Sequence, residues 1–245
     1  MTFADLHRPG DPFLLPNAWD YGSAALLAEH GFPAVATTSL GVAAVHGKRD
    51  AAGATMNETI ALAAALRPLD VMVSVDVEAG FSDDPDEVAE LVLILKELGV
   101  HGVNIEDGRP DGTLREIAHQ RDILQAACGH GVFVNARTDT HWLGTGDVFE
   151  RVQAYSFADG VFVPGLTDLA MIAEVAAVRP LNVLYQAAGP SMKELAAAGV
   201  ARISTGSLLY RAALRGAVET ALAIQGRDAA PELPTIARIM GLLPR

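Results

Sequence analysis

The chain has one cysteine, Cys128, among its 245 residues. A lone cysteine excludes an intrachain disulfide, a zinc site built from several thiolates and an iron–sulfur cluster. Long apolar runs are also missing, since none reaches the roughly 18 residues that a membrane-spanning helix needs. The N-terminal stretch MTFADLHRPGDP lacks the apolar segment of a secretory signal. We therefore expect a cytoplasmic protein without a membrane partner.

Basic residues are few. Lysine and arginine number 18 against 30 aspartates and glutamates, which gives a formal net charge of −12. Such a chain repels nucleic acid and anionic membranes, so neither is expected as a partner. Hydrophobic residues make up 50% of the sequence, and a chain of this length can bury a large core without disulfides.

Short apolar, β-branched segments alternate eight times with Ala/Leu-rich segments of helical periodicity. The predicted strands are Phe13–Pro16, Ala34–Thr37, Val71–Val75, Gly102–Ile105, Val132–Asn135, Gly160–Val163, Asn182–Tyr185 and Ala201–Ile203. Most are continuous apolar runs, which are typical of parallel strands covered on both faces. Eight such units predict an α/β fold, a single (β/α)₈ TIM-type barrel domain over residues 1–245. An open doubly wound sheet is the alternative, but the sequence has no GxGxxG after its first strand and no GxxxxGK[ST].

The C-terminal segment has no place among the eight units. The last predicted barrel helix is Ser207–Gln225, and a tail of about residues 226–245 follows it. This tail contains three prolines and one short predicted helix, Ile236–Leu243. We expect it to pack across the barrel or onto another subunit.

Carboxylates follow two neighbouring predicted strands. Asp76 and Glu78 come after the third strand with a spacing of two, so they are predicted to project from the same side of the chain. Glu106 and Asp107 follow the fourth strand. Carboxylates that meet at one barrel mouth repel each other unless a cation lies among them, and ligation by oxygen alone suits Mg²⁺ or Mn²⁺. The alternative is that these side chains cap the following helices.

Other polar residues near the predicted mouth allow acid–base or binding chemistry. Arg137 follows the fifth strand and could bind a substrate carboxylate or phosphonate with its planar fork. His46 and His141 lie in loops after strands two and five, where either could act as an acid or a base. A lone loop histidine is more often not catalytic. Cys128, at a helix end, is interpreted as an inert small hydrophobe.

Seven motifs in fixed order carry a resemblance to a known family. They are Asn17–Asp20, Thr38–Ala44, Gly47–Asp50, Val75–Phe81, Asn104–Gly108, Asn135–Asp139 and Ala158–Gly165. Each is weak alone, but their order and spacing are specific. From Asn17 to about Arg211 the chain resembles the isocitrate lyase/phosphoenolpyruvate mutase superfamily.

This resemblance implies a (β/α)₈ barrel whose eighth helix is exchanged between subunits, commonly in homotetramers. It also implies Mg²⁺ and an α-keto acid such as pyruvate, oxaloacetate or glyoxylate. Members of the superfamily make or break a C–C or P–C bond through an enolate.

The resemblance also assigns roles to residues of this sequence. Asp76 corresponds to the direct metal ligand, and the residues that act partly through waters are Asp50, Glu78 and Glu106. The keto-acid pocket corresponds to Trp19 and the backbone of Thr38, Ser39 and Leu40. Arg137 corresponds to the clamp on the substrate carboxylate or the transition state. The predicted catalytic residues are therefore Arg137 and Glu106, with His46 as a further candidate.

The loop after the fourth strand departs from the superfamily pattern. Residues Gly108–Leu114 lack the K-[KR]-C-G-H motif of the isocitrate and methylisocitrate lyases, and with it the cysteine that serves as their general acid. They also lack the Lys-x-Asn-Ser gating loop of the phosphonate enzymes. The favoured hypothesis is a Mg²⁺-dependent lyase or hydrolase that acts on a small α-keto or dicarboxylic acid through an enolate. Its reaction would be C–C cleavage of an oxaloacetate-like or a 2-alkylmalate/isocitrate-like acid. The alternatives are a phosphonopyruvate-type mutase or hydrolase and a non-catalytic keto-acid-binding barrel.

Overall fold

A computed structural model of the chain describes residues 1–227 and 231–244. The strands are β1 Phe13–Leu15, β2 Asn17–Ala18, β3 Ala34–Thr37, β4 Met72–Asp76, β5 Gly102–Glu106, β6 Phe133–Arg137, β7 Gly160–Phe162, β8 Leu181–Leu184 and β9 Arg202–Ser204. The helices are α1 Tyr21–Glu29, α2 Ser39–Val45, α3 Met56–Leu66, α4 Pro85–Glu97, α5 Ile117–Ala127, α6 Thr140–Leu143, α7 Val148–Ala154, α8 Leu169–Ala176, α9 Met192–Ala197, α10 Leu208–Ile224 and α11 Ile236–Met240.

All nine strands in the described part of the chain run parallel in the order β1-β9-β8-β7-β6-β5-β4-β3-β2, with helices between them. The predicted first strand is split at Pro16, because proline has no N–H group to donate to a neighbouring strand. Of its two parts, β1 pairs with β9 and β2 pairs with β3. These two short strands therefore join both edges of the sheet, and the predicted TIM-type barrel is confirmed.

Side-chain caps mark where several helices begin. The Asp20 carboxylate accepts a hydrogen bond of 2.7 Å from the backbone N–H of Ser23 at the start of α1. Asp84 accepts one of 2.9 Å from Asp86 at the start of α4, where Pro85 is the first helical residue. These contacts satisfy N–H groups that have no partner within the helix.

Two helices, α2 and α6, were not predicted, since both are short and lie within the connections after β3 and β6. The tail helix ends at Met240 rather than at the predicted Leu243. None of the described helices is long and apolar enough to cross a membrane.

The N-terminal residues close one end of the barrel. The Phe3 ring packs edge to face against Phe133, with ring centroids 5.7 Å apart, and the His7 ring stacks on Phe133 at 4.0 Å. Gly102 makes room for them, because a Cβ atom there would lie 2.6 Å from the Phe3 ring. Burial lowers the pKa of His7 to about 3. The neutral histidine is thus part of an aromatic plug at the amino ends of the strands.

The C-terminal tail folds back onto the opposite end of the same barrel. Arg211 on α10 donates a hydrogen bond of 2.9 Å to the carbonyl oxygen of Pro234. Ile239 of α11 is buried with Leu40 and Tyr210. The tail thus packs across the barrel, one of the two predicted arrangements, although residues 228–230 and 245 of the predicted tail lie outside the described residues.

Candidate active site

A cavity of about 230 Å³ lies at the carboxyl ends of the strands. Four carboxylates line it: Asp50, Asp76, Glu106 and Asp139. Reactive groups of (β/α)₈ barrels are found at this end, because the βα loops converge there. The sequence-based prediction that Asp76, Glu106 and Arg137 meet at the mouth agrees with this geometry.

Arg137 is the cation among these carboxylates. Its Nη1 lies 2.7 Å from Oε2 of Glu106 and 3.9 Å from Oδ2 of Asp76. Its Nε and Nη2 donate to the two oxygens of Asp139, at 2.7 and 3.1 Å. The guanidinium also lies over the ring of Phe162, 5.5 Å from its centroid. Arg137 is thus held in one orientation at the edge of the cavity.

The charges of this cluster do not balance. Burial would lower the pKa of Arg137, but the carboxylates of Glu106, Asp139 and Asp76 raise it above its ordinary value. Burial raises the pKa of Asp76 and, more strongly, that of Glu106, while Arg137 opposes both shifts. One guanidinium therefore faces several carboxylates that have lost their hydration, an arrangement that a further cation would stabilise.

The donor atoms fit a hard divalent cation. Burial also raises the pKa of Asp50, and its Oδ1 is buried with no hydrogen-bond partner in the described part of the chain. Within residues 1–227 and 231–244, no three acidic, histidine or cysteine side chains lie close enough together to form a complete ligand set. Mg²⁺ commonly takes only one or two carboxylates and keeps several waters. Oxygen ligands of this kind fit it better than zinc.

Glu78 does not line this cavity. Its two oxygens accept hydrogen bonds from Thr55 Oγ1 at 2.7 Å and from the backbone N–H of Gly53 at 2.9 Å. The backbone of Glu78 is left-handed, with φ of 51°, so its side chain does not follow the alternation that Asp76 begins. Glu78 lines a neighbouring cavity of about 260 Å³, and Glu106 lies in the wall that both cavities share.

Asp107 is held by an ion pair and hydrogen bonds within the protein. It is fully buried and lies 2.9 Å from Nη1 of Arg151. It also accepts hydrogen bonds from the hydroxyl of Tyr155 at 3.2 Å and from the backbone N–H of Asp139 at 2.8 Å. Asp107 thus holds the backbone of Asp139, which in turn holds Arg137.

The predicted ligand pocket is present in part. Thr38, Ser39 and Leu40 line the cavity, as predicted. Trp19 instead packs edge to face against Tyr210, at a centroid distance of 5.3 Å. His46 is exposed at the end of α2, where its Nδ1 lies 2.9 Å from the carbonyl oxygen of Val42. The structure does not bring Trp19 or His46 to the cavity wall.

The two remaining predictions concern residues outside the cavity. His141 does not line the wall either, and partial burial lowers its pKa. Burial raises the pKa of the Cys128 thiol to about 11, so the thiol stays protonated near neutral pH. This agrees with the interpretation of Cys128 as an inert residue.

Several lining residues were missed. The inward-facing strand residues among them are Asn17, Asn104, Phe162, Leu184 and Ser204, and the tail contributes Ile236 and Met240. Strand alternation could have found Asn104, because it precedes Glu106 by two residues and so faces the same side. No sequence pattern indicated that the tail reaches the cavity.

Comparison with known proteins decides the family. A sequence profile described as phosphoenolpyruvate phosphomutase matches residues 3–225. The chain belongs to this family. Its resemblance to the isocitrate lyase/phosphoenolpyruvate mutase superfamily is thereby confirmed, and the structural likeness to 2,3-dimethylmalate lyase, a member of that superfamily, supports an enzyme.

This member of the phosphomutase family is similar to other proteins over nearly its whole length. An uncharacterized protein of Mycobacterium tuberculosis is 40% identical over 251 residues, which cover 99% of this chain and 96% of the relative. A provisionally assigned phosphonomutase from Burkholderia cenocepacia J2315 is 36% identical, with a TM-score of 0.82, and covers 91% of this chain and 96% of its own. The structure of 2,3-dimethylmalate lyase is 27% identical, with a TM-score of 0.79 and coverage of 99% and 95%.

Proposed function

We propose that this chain is a Mg²⁺-dependent lyase or hydrolase that acts on a small α-keto or dicarboxylic acid through an enolate. Mn²⁺ is an alternative ion. The observation that carries the proposal is one cavity lined by Arg137, the carboxylates of Asp76 and Glu106, and residues 38–40. A cation site beside a fixed guanidinium is suited to an anionic ligand with a reactive oxygen.

In this proposal Asp76 would bind Mg²⁺ directly, and Asp50 and Glu106 would hold it through water molecules. Glu78 supports the metal site indirectly, because its hydrogen bonds with Gly53 and Thr55 fix the loop that follows Asp50. When bound, Mg²⁺ would supply the positive charge that stabilises a developing enolate oxygen. Arg137 orients a substrate carboxylate, and Asp139 fixes the plane of its guanidinium.

The cavity also has an apolar wall. It is formed by Leu40, Trp142, Leu143, Phe162, Pro164, Leu184, Ile236 and Met240. Such a wall accommodates a methyl or short alkyl group beside the charged end of the cavity. The likeness to 2,3-dimethylmalate lyase supports an alkyl-substituted malate as one substrate class.

The loop after β5 supports access of water to the mouth. Gly108 and Leu114 form an antiparallel bridge, and the backbone N–H of Arg109 donates a hydrogen bond of 2.9 Å to the carbonyl oxygen of Thr113. The segment is therefore a tight turn rather than a long lid. An open mouth suits hydrolysis or decarboxylation of an oxaloacetate-like acid.

The likeness to the provisionally assigned phosphonomutase favours a second candidate, P–C chemistry on a phosphonopyruvate-like acid. Arg137 fits this candidate as well, because a guanidinium binds phosphonates as well as carboxylates. A non-catalytic keto-acid-binding barrel is the third. The same assay separates all three.

We expect Mg²⁺-dependent product release from oxaloacetate or 2,3-dimethylmalate when the purified protein is incubated with a panel that also contains methylisocitrate and phosphonopyruvate. Pyruvate, oxalate and phosphoenolpyruvate are measured, with and without EDTA. Turnover of phosphonopyruvate alone would replace the proposal with the second candidate. No turnover, together with Mg²⁺-dependent thermal stabilisation by oxalate, would replace it with the third.

We further propose a homo-oligomer of closed symmetry, most simply a tetramer in which α10 docks on a neighbouring subunit. Tyr210 is the only buried residue of α10, whereas Val218 is 49% exposed and Ile224 is 83% exposed. Light scattering at micromolar concentration is expected to give about four times the chain mass. A Val218→Asp variant is expected to form a smaller assembly, with a lower mass by the same measurement. A wild-type monomer would contradict the proposal.

A further inference from the structure

The floor of the cavity contains an amide with a fixed orientation. Asn104 on β5 lines the cavity, and its Oδ1 accepts two hydrogen bonds from inside the barrel. One comes from Nη2 of Arg202 at 3.1 Å, and the other from Nδ2 of Asn135 at 2.9 Å. Arg202 and Asn135 are both buried, with exposed fractions of 0% and 1%.

Hydrogen-bond chemistry fixes which end of the Asn104 amide faces Arg202. Arginine has only donors, so the atom that meets Arg202 must be the oxygen. An amide turned the other way would place two donors against each other in a buried site. The Nδ2 group of Asn104 therefore faces away from Arg202, toward the cavity.

Arg202 is a fully buried arginine in the interior of the barrel. No carboxylate lies within ion-pair distance of it in the described part of the chain, and its Nε and Nη1 have no hydrogen-bond partner there. Burial lowers its pKa to about 9, although the charge of Asp76 opposes this shift. A buried cation without a paired anion costs stability. The hydrogen bond to Asn104 is the contact that its guanidinium does make.

We propose that Asn104 donates a hydrogen bond from Nδ2 to a carboxylate or carbonyl oxygen of the ligand, and that Arg202 is a positioning residue that keeps this donor turned into the cavity. The inference rests on the proposed function, because the ligand is a small carboxylic acid. The donor lies on β5 two residues before Glu106, so it reaches the ligand from the floor while Arg137 reaches it from β6. A ligand that presents a hydrogen-bond donor to the floor is disfavoured.

The test measures oxalate affinity by calorimetry in the presence of Mg²⁺. Asn104→Ala is expected to weaken oxalate binding about 10- to 100-fold, the usual effect of losing a hydrogen bond to a charged group. Gln120→Ala is the matched control. Gln120 is also a buried amide whose oxygen accepts from an arginine, Arg115 at 2.7 Å, but it lies outside the cavity. This control is expected to bind oxalate as the wild type does.

A double-mutant cycle tests the role of Arg202. Arg202→Met is expected to weaken oxalate binding about 3- to 10-fold, because the Asn104 amide is then free to turn. The same substitution in the Asn104→Ala background is expected to have no further effect. Methionine fills a similar volume without a buried charge, so the Arg202→Met variants are expected to fold. If Asn104→Ala alone does not fold, the double variant compared with Arg202→Met gives the same information about the donor.

Each outcome decides one point. Oxalate affinity within twofold of wild type in the variants without Asn104 would overturn the donor role. An equal loss from Arg202→Met in both backgrounds would show a through-space effect of charge and overturn the positioning role. Absence of oxalate binding by the wild type would overturn the proposed function, and this inference with it.

Discussion

Arg137→Lys is expected to lower kcat/KM by about 30-fold or more. Lysine keeps the positive charge but cannot contact Glu106 and both oxygens of Asp139 at once, so its ammonium group is not fixed at the place from which the guanidinium faces a substrate carboxylate. Loss of a charged partner in a partly desolvated site costs about 2 to 5 kcal/mol, and each 1.36 kcal/mol is about tenfold in rate. Steady-state kinetics on the substrate found by the panel assay measures the effect.

Two further variants separate the roles of Arg137. Arg137→Met removes the cation and leaves three buried carboxylates facing each other, so the free energy of unfolding is expected to fall by about 3 to 5 kcal/mol. Arg115→Lys is the matched control, because Arg115 is a buried arginine that pairs with Asp83 at 2.8 Å outside the main cavity. If Arg137→Lys changes the melting temperature but leaves kcat/KM within about threefold of wild type, Arg137 serves only as an internal ion pair.

Asp76→Ala is expected to abolish metal-dependent activity and to leave the fold intact. Burial raises the pKa of Asp76, which means that its charged form destabilises the metal-free folded state near neutral pH. The metal-free variant is therefore expected to melt at the same temperature as the wild type or higher, without the stabilisation that Mg²⁺ gives the wild type. Calorimetric scans with Mg²⁺ and with EDTA measure both effects.

The control for Asp76→Ala is Asp84→Ala, which removes the cap of α4 in the loop after the same strand. It is expected to cost about 1 kcal/mol of stability and to respond to Mg²⁺ as the wild type does. Full activity of Asp76→Ala would remove this residue from the metal site.

The barrel was predictable because alternation of strands and helices is a property of composition along the chain. The predicted and observed strand bounds agree within two residues, apart from the break at Pro16. The missing N–H group of Pro16 affects only hydrogen bonding with a neighbouring strand. Helix α2 was read as a motif rather than a helix. Its sequence SLGVAAV is short and apolar, and periodicity alone does not distinguish such a run from a strand.

The site was predictable where strand geometry decides direction. Asp76, Glu106 and Arg137 are the last residues of three neighbouring strands, and the ends of parallel strands meet at one edge. The prediction that Glu78 shares a side with Asp76 assumed an extended backbone, which the left-handed φ at Glu78 interrupts. Arg202 lay unnoticed inside a predicted strand, since a sequence does not show what a buried cation contacts across a barrel.

The closure of the barrel makes ligand binding depend on segments that are synthesised late. The strand β1 finds its partner only when β9 is available, nearly 190 residues later, as in the pairing of Leu15 with Ser204. The tail residues Ile236 and Met240 then complete the cavity wall. A nascent chain that stops short of Met240 therefore has no finished site, and ligand can stabilise the protein only after this segment has left the ribosome.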